Sequence, residues 1–470
     1  MLNVRPDRPG TTKMKFTSTI IILCSALALA GCTLVPHYER PAAPVAARFP
    51  GTLTTQAAPS AADRSWRDIF PDARLQRLIE IALTNNLDLR TAILNVEQSR
   101  AQYRITRSAS LPSVAGGGSF TRAAANGHTG NEWSANVGTT AYELDLFGRV
   151  RSLNQQALAA FLATVETQHS AQLALIAEIA TAYFTLREAQ MQLELATQTV
   201  ASVQAAYALN QATFAAGASN EQDVRTAEAQ VATAKINVLE YQRRVAQAQH
   251  ALEPLVVQPL PADLPEPRPF AAADLVAEVP VGLPSDLLQR RPDILAAEHT
   301  LQAANASIGA ARAQFFPAIK LTASLGATSS QLDQLLNASS GVWSFAPQIT
   351  VPLFTGGQNR ANLDAARISA RIDIANYQKS IQTAFREVAD ALVATHNYAA
   401  ELESQAVLIN AQRVRFNLAT ARYRQGDAAY LEVLSAQQDL YSAQQSQLAT
   451  QFNKLASQIS LYQALGGGWQ

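Results

Sequence analysis

The chain of 470 residues has two cysteines, Cys24 and Cys32. Cys24 lies in an N-terminal apolar stretch expected to be removed, so one thiol remains. An intramolecular disulfide framework and a cysteine metal cluster are excluded. Charge is scarce as well: 16% of residues are Asp, Glu, Lys or Arg, against about a quarter in ordinary domains. Acids and bases balance at 37 each, which removes the electrostatic case for a nucleic-acid partner. The six histidines (37, 128, 169, 250, 299 and 396) show neither ligand nor triad spacing. Glycine-rich 116–118 and 466–468 lack the lysine and following helix of a phosphate loop. No enzyme, metal or cofactor reading has a residue behind it. Hydrophobic content is ordinary at 48%, so no polytopic helical membrane protein is implied.

What is present begins with a secretory pattern. Lys13 and Lys15 precede the apolar run 20–30, which ends in Leu29-Ala30-Gly31-Cys32. A basic start, a short apolar core and small residues before a cut describe a signal peptide over 1–31. Leu-Ala-Gly-Cys resembles the lipobox of bacterial lipoproteins, in which the cysteine is acylated and becomes the first residue. Cys32 is therefore the expected lipid attachment site. By resemblance to bacterial sorting rules, Thr33 in place of an aspartate favours the outer membrane. Met14 is a second candidate start, since residues 1–13 do not resemble a targeting region. Removal of 1–31 takes four basic residues and one acidic residue, leaving the mature chain at −3.

Residues 32–65, rich in Pro, Ala and Thr, read as an acylated extended tether. A first repeat follows over 66–253: a helix with apolar spacing from Leu75 to Ser108, a β-hairpin over 112–147 with a loop at 123–131, a long helix 150–216 and a helix 220–253. The run from 150 to 216 has neither proline nor glycine; as one helix it would be on the order of 100 Å long. Gly217 ends it, and Asn220 is placed to cap the next helix. Nine of the 21 prolines fall in 254–292, which forbids long helix there and separates the halves. A second repeat over 293–465 carries a helix, a hairpin 317–354, a long helix 358–425 and a helix 428–465, before a tail at 466–470.

The halves match position by position. Leu111-Pro112 and Phe316-Pro317 stand 205 residues apart, Phe147 and Phe354 207, and Gly217 and Gly426 209. This internal duplication is the strongest structural regularity in the chain. Each half passes from a strand into a very long helix, through Phe147-Gly148-Arg149 in one and Phe354-Thr355-Gly356-Gly357 in the other. Before the first junction Trp133, Ala135, Val137 and Ala141 share one face, but Tyr142, Leu144 and Leu146 take the other parity. A bulge or a membrane boundary is expected at that flip.

Strands of about ten residues span a bilayer when tilted, and open edges are not tolerated in lipid. Four strands per chain are too few to close, since the smallest membrane barrels have eight. Two copies give eight strands; three give twelve and a wide lumen. A soluble sandwich edge or an adhesion hairpin is the competing reading of the strands.

The lipobox, ELDLFGRVR, LLQRRPDILAAE, VPLFTGG, RYRQGDAAYLEVLSAQ and LYQALGGGW together resemble the outer-membrane factor family of TolC-like efflux proteins, in its lipoprotein branch. The motifs occur in the family's order over nearly the whole mature chain. The resemblance implies a mixed α/β membrane protein: a homotrimer whose 12-stranded β-barrel is continued by a periplasmic α-helical barrel. It implies a passive exit duct of a tripartite pump in the outer membrane, docking on a periplasmic adaptor and an inner-membrane transporter of the RND type. A type I protein-secretion duct shares the fold, and a periplasmic adaptor or structural coiled-coil lipoprotein is the rival from another class. The exported compound is not legible. In the family a tyrosine before the second helix turn and acidic residues after it help close the pore. Tyr423 and Glu432 match, Leu431 fits an apolar constriction, and Asp223 is the repeat counterpart of Glu432. Ser435 and Ala428 depart from the pattern. Glu432 also reads as a solvated first-turn glutamate favoured by the helix dipole.

Overall fold

The computed structural model describes residues 33–46, 49, 64–125, 128–268, 270 and 284–468. The expected signal peptide, the acylation site at Cys32, most of 47–63, residues 271–283 of the proline-rich segment, and the last two residues lie outside the described residues. The duplication reappears as element order. The first half runs α1 (Trp66–Ile69), α2 (Ala73–Asn85), α3 (Leu87–Ser108), β1 (Ala115–Ala125), β2 (His128–Leu144), α4 (Arg149–Ala215) and α5 (Glu221–Val256). The second runs α6 (Pro284–Arg290), α7 (Pro292–Ala313), β3 (Ala318–Ser329), β4 (Gly341–Thr350), α8 (Gln358–Gln425) and α9 (Tyr430–Ala464). Both long helices are continuous, at 67 and 68 residues. Contacts group the chain into a sheet unit (described parts of 1–42, 96–164 and 297–377) and a helical unit formed by the remainder.

Four expectations need correction. The helix expected from Leu75 to Ser108 is two helices divided at Asn86. The Asn86 Oδ1 accepts from the amides of Asp88 (3.0 Å) and Leu89 (2.9 Å), and its Nδ2 donates to the Leu255 carbonyl. One side chain thus caps α3 and ties it to α5. The helix expected to stop at 253 runs through Pro254 to Val256, because Leu252 and Val256 are fully buried there. Proline forfeits one hydrogen bond in that last turn, and apolar burial outweighs it. The loop expected over 123–131 is strand up to Ala125 and again from His128, with Ala123, Ala124 and Ala125 paired to Gly130, Thr129 and His128. Finally, the start of the tether is not free. Residues 34–40 lie antiparallel along α7. Arg312 donates to the Leu34 carbonyl and Asn305 to that of Pro36. Arg40 grips Glu298 through two 2.9 Å bonds, and the Tyr38 hydroxyl adds a third. Gly309 leaves a notch for Val35, whose Cγ2 sits 2.5 Å from where a Cβ would be. Positions 298, 305, 309 and 312 form one stripe of the helix.

In the sheet unit the strands pair antiparallel in the order β1-β2-β3-β4. Residues opposite one another share a face, so the register sorts the sheet into two sides. Phe120, Trp133, Val137, Leu325, Trp343 and Phe345 fall on one; Ser119, Ser134, Asn136, Ser324, Ser344 and Gln348 fall on the other. The expected bulge is present. Register slips between Thr139 and Tyr142, and Ala141 adopts φ +55°. It brings Tyr142 and Leu144 opposite Leu321 and Ile319, so the apolar face continues unbroken although the sequence parity flips. β2 and β3 approach closely where Gly138 faces Ser324 and Gly326 faces Asn136.

In the helical unit, α1 and α2 plug a core with Trp66, Ile69, Phe70 and Leu75, closed by Tyr183 of α4 and Tyr462 of α9. Tyr183 donates to Asp72, whose other oxygen caps α2. Arg291, between α6 and α7, binds Asp293, Glu387 and the Ala464 carbonyl.

Candidate functional site

Two regions carry the features singled out in the sequence: the strand-to-helix junctions and the paired helix turns. At the first junction every polar residue of the ELDLFGRVR stretch is used. Arg149 forks onto Glu143 at 2.7 and 2.6 Å. Asp145 accepts from the amides of Val150 (3.1 Å) and Arg151 (2.8 Å), capping α4, and pairs with the Arg151 side chain. Gly148 turns the chain at φ +74°. Phe147 stacks on Phe316 with ring centroids 4.7 Å apart. Glu143, Asp145 and Arg151 enter the sequence reading only inside the ELDLFGRVR motif; two acids before the glycine and two bases after it were the available signal. The second junction differs. Gly356 and Gly357 both have positive φ, and Phe354 stays exposed.

At the helix turns Gly217 (φ +75°) and Gly426 (φ +82°) end α4 and α8 in the left-handed conformation. The Ala218 amide reaches back to Thr213, and the Asp427 amide to Arg422, each at 2.9 Å. Both turns are thus Schellman closures. Asn220 caps α5 as expected, accepting from the Asp223 amide at 2.9 Å. Its amide nitrogen binds the Asp223 carboxylate, so that carboxylate is held by the cap.

The structure separates the four gate candidates. Tyr423 lies inward: it donates to Asn210 Oδ1 at 2.7 Å and leans on Tyr430 at 5.6 Å between centroids. Burial, reinforced by Asp223, pushes its phenol above the ordinary value. Leu431 is exposed. Glu432 pairs with Arg422 at 2.8 Å, and Arg422 also donates to the Asp427 carbonyl. Asn210 and Arg422 were missed in the sequence. Asn210 is fully buried, and its repeat counterpart is Ala419; that mismatch in the duplication could have found it. Tyr423→Phe should leave the Asn210 carbonyl unmet in a buried place, costing about 1–2 kcal/mol. The measurement is leakage of a bulky antibiotic into cells: a rise is expected, and background leakage would show that this contact latches nothing.

Among the described residues no group of acidic, histidine or cysteine side chains could hold a metal. No described helix is long and apolar enough to cross a membrane. Among the described residues the sheet offers a continuous apolar face backed by a polar one, the arrangement of a membrane barrel wall.

Known proteins share this organisation. A family model described as outer membrane efflux protein matches residues 78–256 and 283–467, one stretch in each repeat. SrpC, a solvent efflux pump outer membrane protein of Pseudomonas putida, is 47% identical over 468 residues, spanning 97% of this chain and 99% of that protein. CusC, a cation efflux system protein of Escherichia coli, is 38% identical over 459 residues, spanning 96% and 99%. The open state of the Neisseria gonorrhoeae MtrE outer membrane channel superposes with a TM-score of 0.88 at 39% identity, over 93% of this chain and 99% of that one.

Proposed function

The chain belongs to the outer membrane efflux protein family, and from that premise we propose that three copies close a 12-stranded β-barrel continued by an α-helical tunnel. It is the exit duct of a tripartite efflux pump, passing small molecules from a periplasmic adaptor and an RND-type inner-membrane transporter to the exterior. The observation that carries this reading is the four-stranded sheet with one apolar face, one polar face and two unpaired edges. In lipid such edges must find partners, and a second and third copy supply them with a lumen lined by Ser, Asn and Gln. A lipid on Cys32 holds the N-terminus at the outer membrane. Relatives named for solvent and cation efflux support small cargo.

The helix turns are the gate. Tyr423 braces the turn pair from within, while Leu431 and Glu432 face the opening beside Arg422. Because Arg422 balances Glu432, the three-fold tip is not a bare acidic ring. Glu432→Ala would uncover three arginines, weakening cation block and raising anion preference in planar bilayers. Arg422→Ala would uncover three carboxylates and do the opposite. An exposed pair is worth up to about 1 kcal/mol, hence shifts of up to about fivefold. Unchanged conductance and block in both variants would remove the pair from the opening. The function itself is tested by reconstituting the purified protein into planar bilayers, where discrete channels are expected. Deletion of the gene should also sensitise cells to exported compounds. A protein that forms no channels, and whose loss changes no sensitivity, would overturn the reading.

A further inference from the structure

The duplication contains a template for a contact that one chain cannot complete. Phe147, at the end of the first hairpin, stacks on Phe316, at the start of the second, with ring planes 20° apart. The two hairpins correspond at matched positions. Ser119 and Ser134 share a 2.8 Å hydroxyl bond across the first, and Ser324 and Ser344 do so across the second. Ser119 and Ser324 are again 205 residues apart. Transferring the Phe147–Phe316 contact by one repeat therefore names its counterpart: Phe354, after β4, and Leu111, before β1. Within one chain these residues belong to opposite edges of the sheet, three strand spacings of about 4.8 Å apart. Both are left bare: Phe354 is 91% exposed and Leu111 71%.

We propose that Phe354 of one copy packs on Leu111 of the next, repeating between copies the seam that Phe147 and Phe316 form within each. The occupant of this surface is a second copy of the chain, because the first copy already shows the interface in cis. The orientation agrees. Strands alternate direction from β1 to β4, so β4 of one copy meets β1 of the next antiparallel, as β2 meets β3. The unpaired backbone groups of both edges are satisfied by the same union. Leu353, 93% exposed beside Phe354, is placed to widen the apolar contact. This inference rests on the closed ring proposed above and adds its seam.

The test uses outer membranes from cells expressing the full-length protein. Cys24 is expected to leave with the signal peptide and Cys32 to be blocked by lipid, so the introduced thiols are the reactive ones; the four single cysteine variants verify this. A chain carrying Phe354→Cys and Leu111→Cys, treated with a short bis-maleimide and boiled in SDS, should yield covalent multimers ending at the closed oligomer. A chain carrying Phe147→Cys and Phe316→Cys should cross-link internally and remain at monomer mass. Phe354→Glu should make the heat-modifiable oligomer dissociate at lower temperature, whereas Leu336→Glu, at an equally exposed loop position, should not. An intact oligomer in which only the cis pair reacts, or in which Phe354→Glu changes nothing, overturns the seam and leaves the ring standing. That outcome would assign Phe354 to lipid. Absence of any oligomer in the unsubstituted protein overturns both.

Discussion

Gly138→Val should abolish the proposed heat-modifiable oligomer in the outer membrane; this is the largest single-residue effect expected in the chain. A Cβ on Gly138 would stand 2.3 Å from the Ala323 carbonyl oxygen and 2.8 Å from the Ser324 Cα. Gly326 is constrained reciprocally, 2.2 Å from the Ala135 oxygen. These neighbours are backbone, so no side-chain rotation can relieve the overlap. The ladder between β2 and β3 has to part. That ladder is what makes two hairpins one sheet, and its loss leaves two-stranded ribbons too narrow to be stable. The cost is about 3 kcal/mol or more. Gly116 is the internal control. Its nearest neighbours would lie 3.8 Å and 3.9 Å from a Cβ, which is ordinary contact. Gly116→Ala should assemble normally while Gly138→Ala already falls short. Equal yields of oligomer from the two variants would show that the seam between the repeats is looser than described.

Arg40→Ala should release the N-terminal strap. Glu298 is 4% exposed, and its carboxylate is held by the two Arg40 bonds and the Tyr38 hydroxyl. Without Arg40 a buried charge keeps one neutral donor. Loss of a fully buried partner costs about 3–5 kcal/mol; Arg40 is itself 43% exposed at the side chain, and water can replace part of it, so about 2 kcal/mol is expected. Limited proteolysis reads this directly, as new cleavage within 33–46. The charge is the cause, so removing it should help: Glu298→Leu combined with Arg40→Ala should be cut more slowly than Arg40→Ala alone. Cleavage as slow as in the unsubstituted protein would mean that the strap is held elsewhere. Burial and the neighbouring carboxylate raise the Tyr38 phenol well above its ordinary value of 10.0. The folded site therefore keeps its proton when a released strap would lose it. Docking is at full strength below pH about 10 and weakens as pH climbs beyond that.

The parts of the fold that local chemistry dictates were legible in the sequence. A stretch from 150 to 216 without proline or glycine has one low-energy answer, and α4 gives it. Gly217, Gly426 and Asn220 act through their own backbone or through neighbours three residues away, and they sit as expected. The parity flip before Phe147 marked the bulge, because a two-residue period cannot change face without an extra residue. What stayed hidden depends on distant partners. Asn86 divides α2 from α3 on the apolar stripe itself, between Ala82 and Leu89, since its side chain bonds forward along the chain and across to Leu255. Pro254 stays helical because of what buries Leu252 and Val256. Arg422 was not paired with Glu432 in the sequence because a helix turn lies between them. The strap had no periodicity to read, and its anchor Glu298 lies 258 residues from Arg40. Buried Asn210 was passed over in an alanine-rich helix.

The strap also has a mechanical consequence. Its contacts with Arg312, Asn305 and Glu298 are strung along the axis of α7, so a pull on residue 33 along that axis loads all of them together, in shear. A pull away from the helix would instead strip them one after another, beginning with Arg312. The N-terminus is thus strong in the direction of the sheet and weak across it. Force applied there is shared along more than three turns of α7 before the unstructured-looking composition of the tether can matter at all.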